Sequence, residues 1–288
     1  MFKPVMHLGE ENERFFKRQF TLLTLHKKEQ VIAPIIQQRL DGHVLLTQDY
    51  NTDLLGSFDG AVQRTLTPKE CALKKAQLAT ELTGCSLGLG SEGSFGPGPF
   101  GFVTFDHELV ACVDIEQGWS IVGSAYGPVD VRQQDCQHLQ QVDEFLADVP
   151  IGQGLMLNTK DNTGATIISK GLSAPAEVYD QMTAWFGSGF NPLTISYDLR
   201  GHQCPARRDR IAEATENLVA RLLSACPGCK RPDFWPDHRE TGLPCQWCGT
   251  ATSMEKLRKS ICQDCHHEEL FLPAQSVADQ QYCPYCNP

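Results

Sequence analysis

The chain has 288 residues, 41% of them hydrophobic and 21% charged, with 25 basic against 35 acidic residues and a formal net charge of -10. That composition supports a buried core and excludes global disorder, and no apolar run reaches the roughly 18 residues of a membrane-spanning helix. Neither the segment before Cys204 (15 basic, 24 acidic) nor the segment after it (10 and 11) has the basic excess that a phosphate-backbone binder needs, so nucleic acid is an unlikely partner.

The start, Met-Phe-Lys-Pro-Val-Met-His-Leu-Gly-Glu, lacks the apolar stretch of an export signal, and a cytoplasmic protein is expected. Phe20 to Leu25 reads as a buried strand. Apolar residues at 31, 32, 35, 36 and 40 have helical spacing, and Pro34 requires that helix to begin near residue 30 or 31. His43 to Gln48 is a second strand, followed by the polar loop 49–53. Thr67-Pro-Lys-Glu70 is a capping box that opens a helix ended by Gly84.

Cys85 to Gly90 predicts a short strand leading into the loop Ser91-Glu-Gly-Ser-Phe-Gly-Pro-Gly-Pro99. Leu109–Ile115 and Trp119–Ala125 read as a hairpin, Asp135–Val149 as an amphipathic helix, and Leu155–Thr159 with Thr166–Ser169 as another hairpin. A helix follows from Ser173 to about Phe186. The last runs from Pro205 to about Ala225, with Ile211, Ala214, Leu218 and Leu222 on one face. The expected architecture is a mixed α/β domain over residues 1–204, its sheet containing both strand senses. A helix and a zinc-ribbon-like module follow over residues 205–288.

Thirteen cysteines divide unevenly. Cys71, Cys85, Cys112, Cys136 and Cys204 stand alone and suit small core positions. The other eight form four Cys-x-x-Cys pairs, Cys226/Cys229, Cys245/Cys248, Cys262/Cys265 and Cys283/Cys286, separated by 15, 13 and 17 residues. One such turn aims two thiolates at one ion, and two turns complete a tetrahedral site. Disulfides require an oxidising compartment, thioredoxin-like pairs occur singly, and regular pairing suits zinc better than an iron–sulfur cluster. Two structural Zn²⁺ ions are therefore expected, with no open coordination position and no vacancy for His266 or His267. Sequential pairing, first with second and third with fourth, closes the shortest loops and is the expected arrangement, although a cross-braced one satisfies the same residues.

Gly88-Leu-Gly90-Ser-Glu-Gly93 matches the dinucleotide fingerprint G-x-G-x-x-G, but Phe95-Gly-Pro-Gly-Pro99 forbids the helix that must follow. Glu92, between Ser91 and Ser94, has two readings that spacing leaves open: a Mg²⁺ ligand or water-orienting base, or a solvated residue on a glycine-rich turn. His26, Lys27 and Lys28 sit between a strand and a helix N-terminus, a place for an anion or for a solvated basic turn. Asp53 and Arg64 flank a Gly-Ser-Phe segment, and Asp198-Leu-Arg200-Gly-His202 precedes the last helix, where it either binds a substrate or bridges two domains.

Several of these stretches resemble those of an uncharacterised bacterial family of unknown function that joins a mixed α/β domain to a paired-cysteine C-terminus. They are 26–34, 52–58, 91–97, 198–202, 242–249 and 282–288. The chain departs from that family at Ala61, Gly98 and Cys204, where Glu, His and Asn are usual, and those departures bear on activity if the polar positions are catalytic. The order of strand, lysine-containing loop, helix, Gly-Ser-Phe, Lys74-Lys75 helix and acidic segment is also similar to inosine-triphosphate pyrophosphatase-like proteins. That resemblance implies phosphate contacts from Lys27 or Lys28 and from Lys75, with Glu92 serving Mg²⁺. The leading expectation is a binder, or Mg²⁺-dependent hydrolase, of a nucleotide or other phosphorylated small molecule. In it Glu92 and His26 are catalytic candidates, and Lys27, Lys28, Asp53, Arg64, Lys75, Ser91, Ser94, Arg200 and His202 are binding candidates. The alternative is a non-catalytic adaptor that docks a protein partner through the zinc module.

Overall fold

The computed structural model describes residues 14–55, 65–98, 101–161, 163–190 and 192–288, with the Asp53 side chain outside that set. Two compact units divide between Asn217 and Leu218. One is Gln19–Asn217, and the other is Leu218–Pro288 together with residues 14–18. No helix among the described residues is long and apolar enough to cross a membrane.

The first unit opens with β1 (Gln19–Leu23), α1 (Glu29–Leu40), β2 (His43–Thr47), α2 (Pro68–Thr83), β3 (Leu87–Pro97), β4 (Thr104–Asp114) and β5 (Trp119–Pro128). They build a mixed sheet ordered β2-β1-β3-β4-β5, with β1 parallel to β2 and β3 and the β3-β4-β5 meander antiparallel. The capping box forms as expected: Thr67 accepts from the Glu70 N–H, Glu70 accepts from the Thr67 N–H, and Gly84 closes the helix in the left-handed region.

Two expectations are corrected here. Helix α1 begins at Glu29 with Lys28 as its cap, so Pro34 lies inside it and removes one internal hydrogen bond. The early start follows from the buried Lys28 side chain, which anchors the first turn. Strand β3 does not end at Gly90: it pairs with β4 from Leu87↔Asp114 to Pro97↔Thr104, placing Ser91, Glu92 and Ser94 within the strand. Its glycines serve packing. A Cβ at Gly88 would sit 2.1 Å from the Ala76 carbonyl oxygen, and one at Gly90 would sit 2.2 Å from that of Ala72. Helix α2 therefore lies directly against the backbone of β3.

A second sheet contains β6 (Gln133–Cys136), β7 (Leu155–Lys160), β8 (Thr166–Leu172) and β9 (Leu193–Tyr197), all antiparallel and ordered β6-β9-β7-β8. Helices α3 (Leu139–Leu146) and α4 (Pro175–Gly187) share its core, which includes Val142, Phe145, Leu157, Met182 and Ile195. The helix expected over 135–149 is shorter because its first residues pair with β9 as strand β6. Strand β9, fully buried along its length, has no counterpart in the sequence reading. Helix α5 (Pro205–Leu223) buries Ile211, Ala214, Leu218 and Leu222, as its spacing requires. In the second unit β10 (His238–Thr241), β11 (Glu255–Ile261) and β12 (Glu268–Phe271) form an antiparallel sheet with β11 in the middle.

Because the obstacle at Gly90 is backbone, Gly90→Ala must push α2 off the sheet. The expected loss is about 1–3 kcal/mol of stability, read by chemical denaturation, and an unchanged midpoint would refute this packing account.

Candidate functional site

Strand β1 pairs with β3 only through Leu87–Leu89, which leaves the β3 edge open from Gly90 onward. The segment after β1 turns there, Lys27 taking the left-handed region at φ 54°, and Lys28 reaches the open edge. Its ammonium donates to Ser91 Oγ at 2.8 Å and to Glu108 Oε2 at 3.2 Å. Glu108 lies opposite Gly93 on the neighbouring strand and also accepts from Arg207 Nε of α5 at 2.7 Å. Arg207 donates in addition to the Leu199 carbonyl and stands 5.1 Å from the centre of the Phe95 ring. Gly93 makes room for this pair, since a Cβ there would meet Arg207 Nη2 at 2.3 Å and Glu108 Oε1 at 2.5 Å.

Burial pushes the Lys28 ammonium below its ordinary range, against the pull of Glu108. Burial alone would raise Glu108, but Lys28 and Arg207 outweigh it and hold the carboxyl below its usual value. On the other face of β3, Glu92 accepts from Lys75 Nζ of α2 at 2.6 Å.

The opposing wall comes from the second sheet of the same unit. Asp198 accepts from Arg200 Nε at 2.9 Å, and from the Arg200 and Gly171 N–H groups at 3.1 Å each. This fully buried carboxylate fixes the guanidinium of Arg200, which keeps 31% of its side chain exposed. Hydrogen bonding to Asp198 raises the Arg200 pKa further. The His26 and His202 rings stack at 6.4 Å and 5°. Burial, then the charge of Arg200, lowers the His202 pKa.

These groups enclose a cavity of about 550 Å³, within the range of small-molecule sites. Six cationic side chains line it (Lys28, Lys75, Arg132, Lys170, Arg200 and Arg207) against two carboxylates, Glu92 and Asp198. Of the residues expected from sequence, His26, Lys28, Lys75, Ser91, Glu92 and Arg200 come together here. His202 is outside the lining but stacks on His26. Lys27 is exposed, and Ser94 sits opposite His107; neither lines the cavity. Asp53 falls in a 3-10 turn, Thr52–Leu55, with its side chain outside the described residues, where Ala61 and Arg64 also lie.

Sequence reasoning missed Glu108, Asp106, Arg207, Arg132 and Lys170. A signal existed for three of them. Asp106 and Glu108 alternate along one strand and share a face, and Arg207 stands four residues before Ile211, on the apolar stripe of its helix.

The second unit holds two groups of four cysteines. Cys226, Cys229, Cys262 and Cys265 form one, and Cys245, Cys248, Cys283 and Cys286 the other, with the sulfurs of each set within 4.8 Å of one another. Cross-turn Sγ distances are 3.6 Å (Cys226 to Cys265), 3.4 Å (Cys229 to Cys262) and 3.6 Å (Cys248 to Cys283). A tetrahedral ion with metal–sulfur bonds of about 2.3 Å needs sulfurs about 3.8 Å apart, so both sets fit a metal ion. The expected sequential pairing is overturned, because the first turn joins the third and the second joins the fourth. Neither histidine at 266–267 enters a set.

A family model for a domain of unknown function, DUF6671, matches residues 75–288. The chain belongs to this family. No curated protein and no solved structure matches it, so no comparison supports the likeness to inosine-triphosphate pyrophosphatase-like proteins drawn from element order. The family match takes in Lys75, Glu92, Glu108, Arg200, Arg207 and both cysteine sets, and it begins after Lys28.

Replacing Glu108 by Gln removes the buried carboxylate that Lys28 and Arg207 share. Stability is expected to fall by about 3–5 kcal/mol in urea denaturation followed by circular dichroism. A loss under about 1 kcal/mol, the scale of an exposed ion pair, would show that the cluster is solvated.

Proposed function

We propose that the first unit binds a phosphorylated small molecule in its cavity, with a nucleotide as the leading candidate. The observation that carries this reading is the concentration of six cationic side chains around one small-molecule-sized space in a chain of net charge -10. Arg200 is the anchor for an anionic group, because Asp198 fixes its guanidinium while part of it stays exposed. The choice of nucleotide rests on the resemblance in element order to pyrophosphatase-like proteins drawn from the sequence. Hydrolysis with Mg²⁺ at Glu92, aided by His26, is the extension of this reading. It requires the Lys75–Glu92 pair to open, and for that reason binding has the stronger support.

In the same proposal each cysteine set holds one structural Zn²⁺. All four donors of each set are protein thiolates, which leaves no position for substrate or water. Purified protein is then expected to contain two zinc ions per chain by elemental mass spectrometry, and Cys262→Ser to contain one. A zinc-free, folded wild-type protein would refute the assignment.

The ligand is tested by thermal shift across nucleotides and sugar phosphates, with and without Mg²⁺. A ligand at 100 times its Kd adds about 2.7 kcal/mol of stability. One phosphorylated class is expected to raise the melting temperature, and Arg200→Gln to abolish the rise. Mg²⁺-dependent phosphate or pyrophosphate release, absent in Glu92→Gln, would add hydrolysis to binding. No shift for any member would reject the cavity reading.

The adaptor reading has its own observation. Trp247 and Tyr285, 81% and 78% exposed, sit inside the two turns of one cysteine set, and a partner that binds the protein but not a Trp247→Ala variant would support it.

A further inference from the structure

Asp106 is 1% exposed, and neither of its carboxylate oxygens has a hydrogen-bond partner among the described residues. It lies in β4 between Phe95 of β3 and Gly127 of β5. Two guanidinium groups of α5 face it without donating a hydrogen bond to it. Arg207 Nε stands 4.0 Å away. Arg210 packs over Gly127, where a Cβ would meet its Nη2 at 2.3 Å, and the Arg210 Nε is also buried and unpartnered.

A buried carboxylate that forms no hydrogen bond is poorly stabilised as an anion. The ionisable groups facing it from each element are Glu108 on its own strand, Lys28 at the start of α1, Arg207 and Arg210 on α5, and Cys204 just before that helix. Burial, reinforced by Glu108 and opposed by Arg207, Lys28 and Arg210, pushes the Asp106 carboxyl up to about 7.

Arg207 and Lys28 both line the cavity, so the charges that favour the ionised form of Asp106 also face the ligand space. We propose that Asp106 is a proton site coupled to that cavity: its carboxylate takes a proton from solvent as an anion settles against Arg207 and Lys28, and returns it when the anion leaves. This inference rests on the anion-binding reading above. By linkage, proton and anion then strengthen each other's binding by the same factor.

The test uses sulfate, which does not titrate between pH 5 and 9, on wild type and Asp106→Asn by calorimetry. Above the Asp106 pKa the wild type binds sulfate while its carboxylate is charged, and the Asn variant is expected to bind roughly 5- to 10-fold tighter, a typical coupling factor. Near pH 5.5 the two are expected to converge, because the wild-type group is then protonated. Titration of His26 or His202 affects both proteins alike and cancels in the ratio. A ratio that stays constant with pH overturns the coupling.

A second readout needs no ligand. The folded pKa is raised above an unfolded value of about 3.9, so the stabilisation from protonated Asp106 is complete below that value. It is lost as pH rises to about 7. The melting temperature of the wild type relative to Asp106→Asn is expected to fall across that window and level off above it. A flat difference overturns the proton site itself. Failure of sulfate to bind either protein at any pH, alongside a falling difference in melting temperature, would reject the anion-binding reading and the coupling, and leave only a buried protonated carboxyl.

Discussion

Glu108 accepts from Lys28 and from Arg207 with its side chain wholly buried, joining segments 80 and 99 residues away in sequence. Bringing these ions out of water costs several kcal/mol each, so their pairing is a poor source of net stability. Its effect is geometric. The Lys28 contact holds the start of α1 at the open edge of β3, while Arg207 fixes α5 through Glu108 and the Leu199 carbonyl. The six-cation cavity takes its shape from these two anchors, and the glycine at 93 is the space they need.

The second unit depends on a different constraint. In the β10-β11-β12 sheet, β11 runs back along β10 and ends at the third cysteine turn, close to where the chain passed the first. Strand β12 then reverses again and carries the fourth turn toward the second, where Cys245 bridges to Ala278. Antiparallel strands between the turns therefore send alternate turns to opposite ends of the sheet. With edge strands of four residues the sheet buries little of its own, and each cysteine set closes one of its ends.

How legible this was in the sequence follows from the range of each interaction. Local chemistry was readable: the Thr67–Glu70 capping box, the Gly118 turn of the β4–β5 hairpin and the eight ligand cysteines are set by neighbours within a few residues. The sequence misled wherever a distant partner decided. Residues 91–97 look like a glycine-rich loop until β4 supplies a ladder for all of them. Asp135 and Cys136 read as the start of a helix but pair with β9 as part of a strand. Loop length favoured sequential pairing of the cysteine turns, because closure cost was weighed without the strands that span the loops. In the site, Lys28, Asp198 and Arg200 stood out because they cluster with other polar residues at element ends, while Glu108 and Arg207 were missed because a buried ion looks like any other charged residue until its partner is known.

The sign of the chain's charge and the sign of its cavity oppose each other, and distance reconciles them. At physiological salt the field of a surface carboxylate is screened over about 8 Å, so acidic residues spread over the exterior do little inside an enclosed space. There the near charges dominate, and Lys28, Lys75, Arg132, Lys170, Arg200 and Arg207 outnumber the carboxylates that line it. On the proposed reading, a polyanion such as RNA meets the net negative charge of the chain before it meets the cavity. A single phosphorylated molecule that fits the cavity meets only the local field. On the anion-binding proposal, the same two features select by size, in favour of anions small enough to enter the cavity.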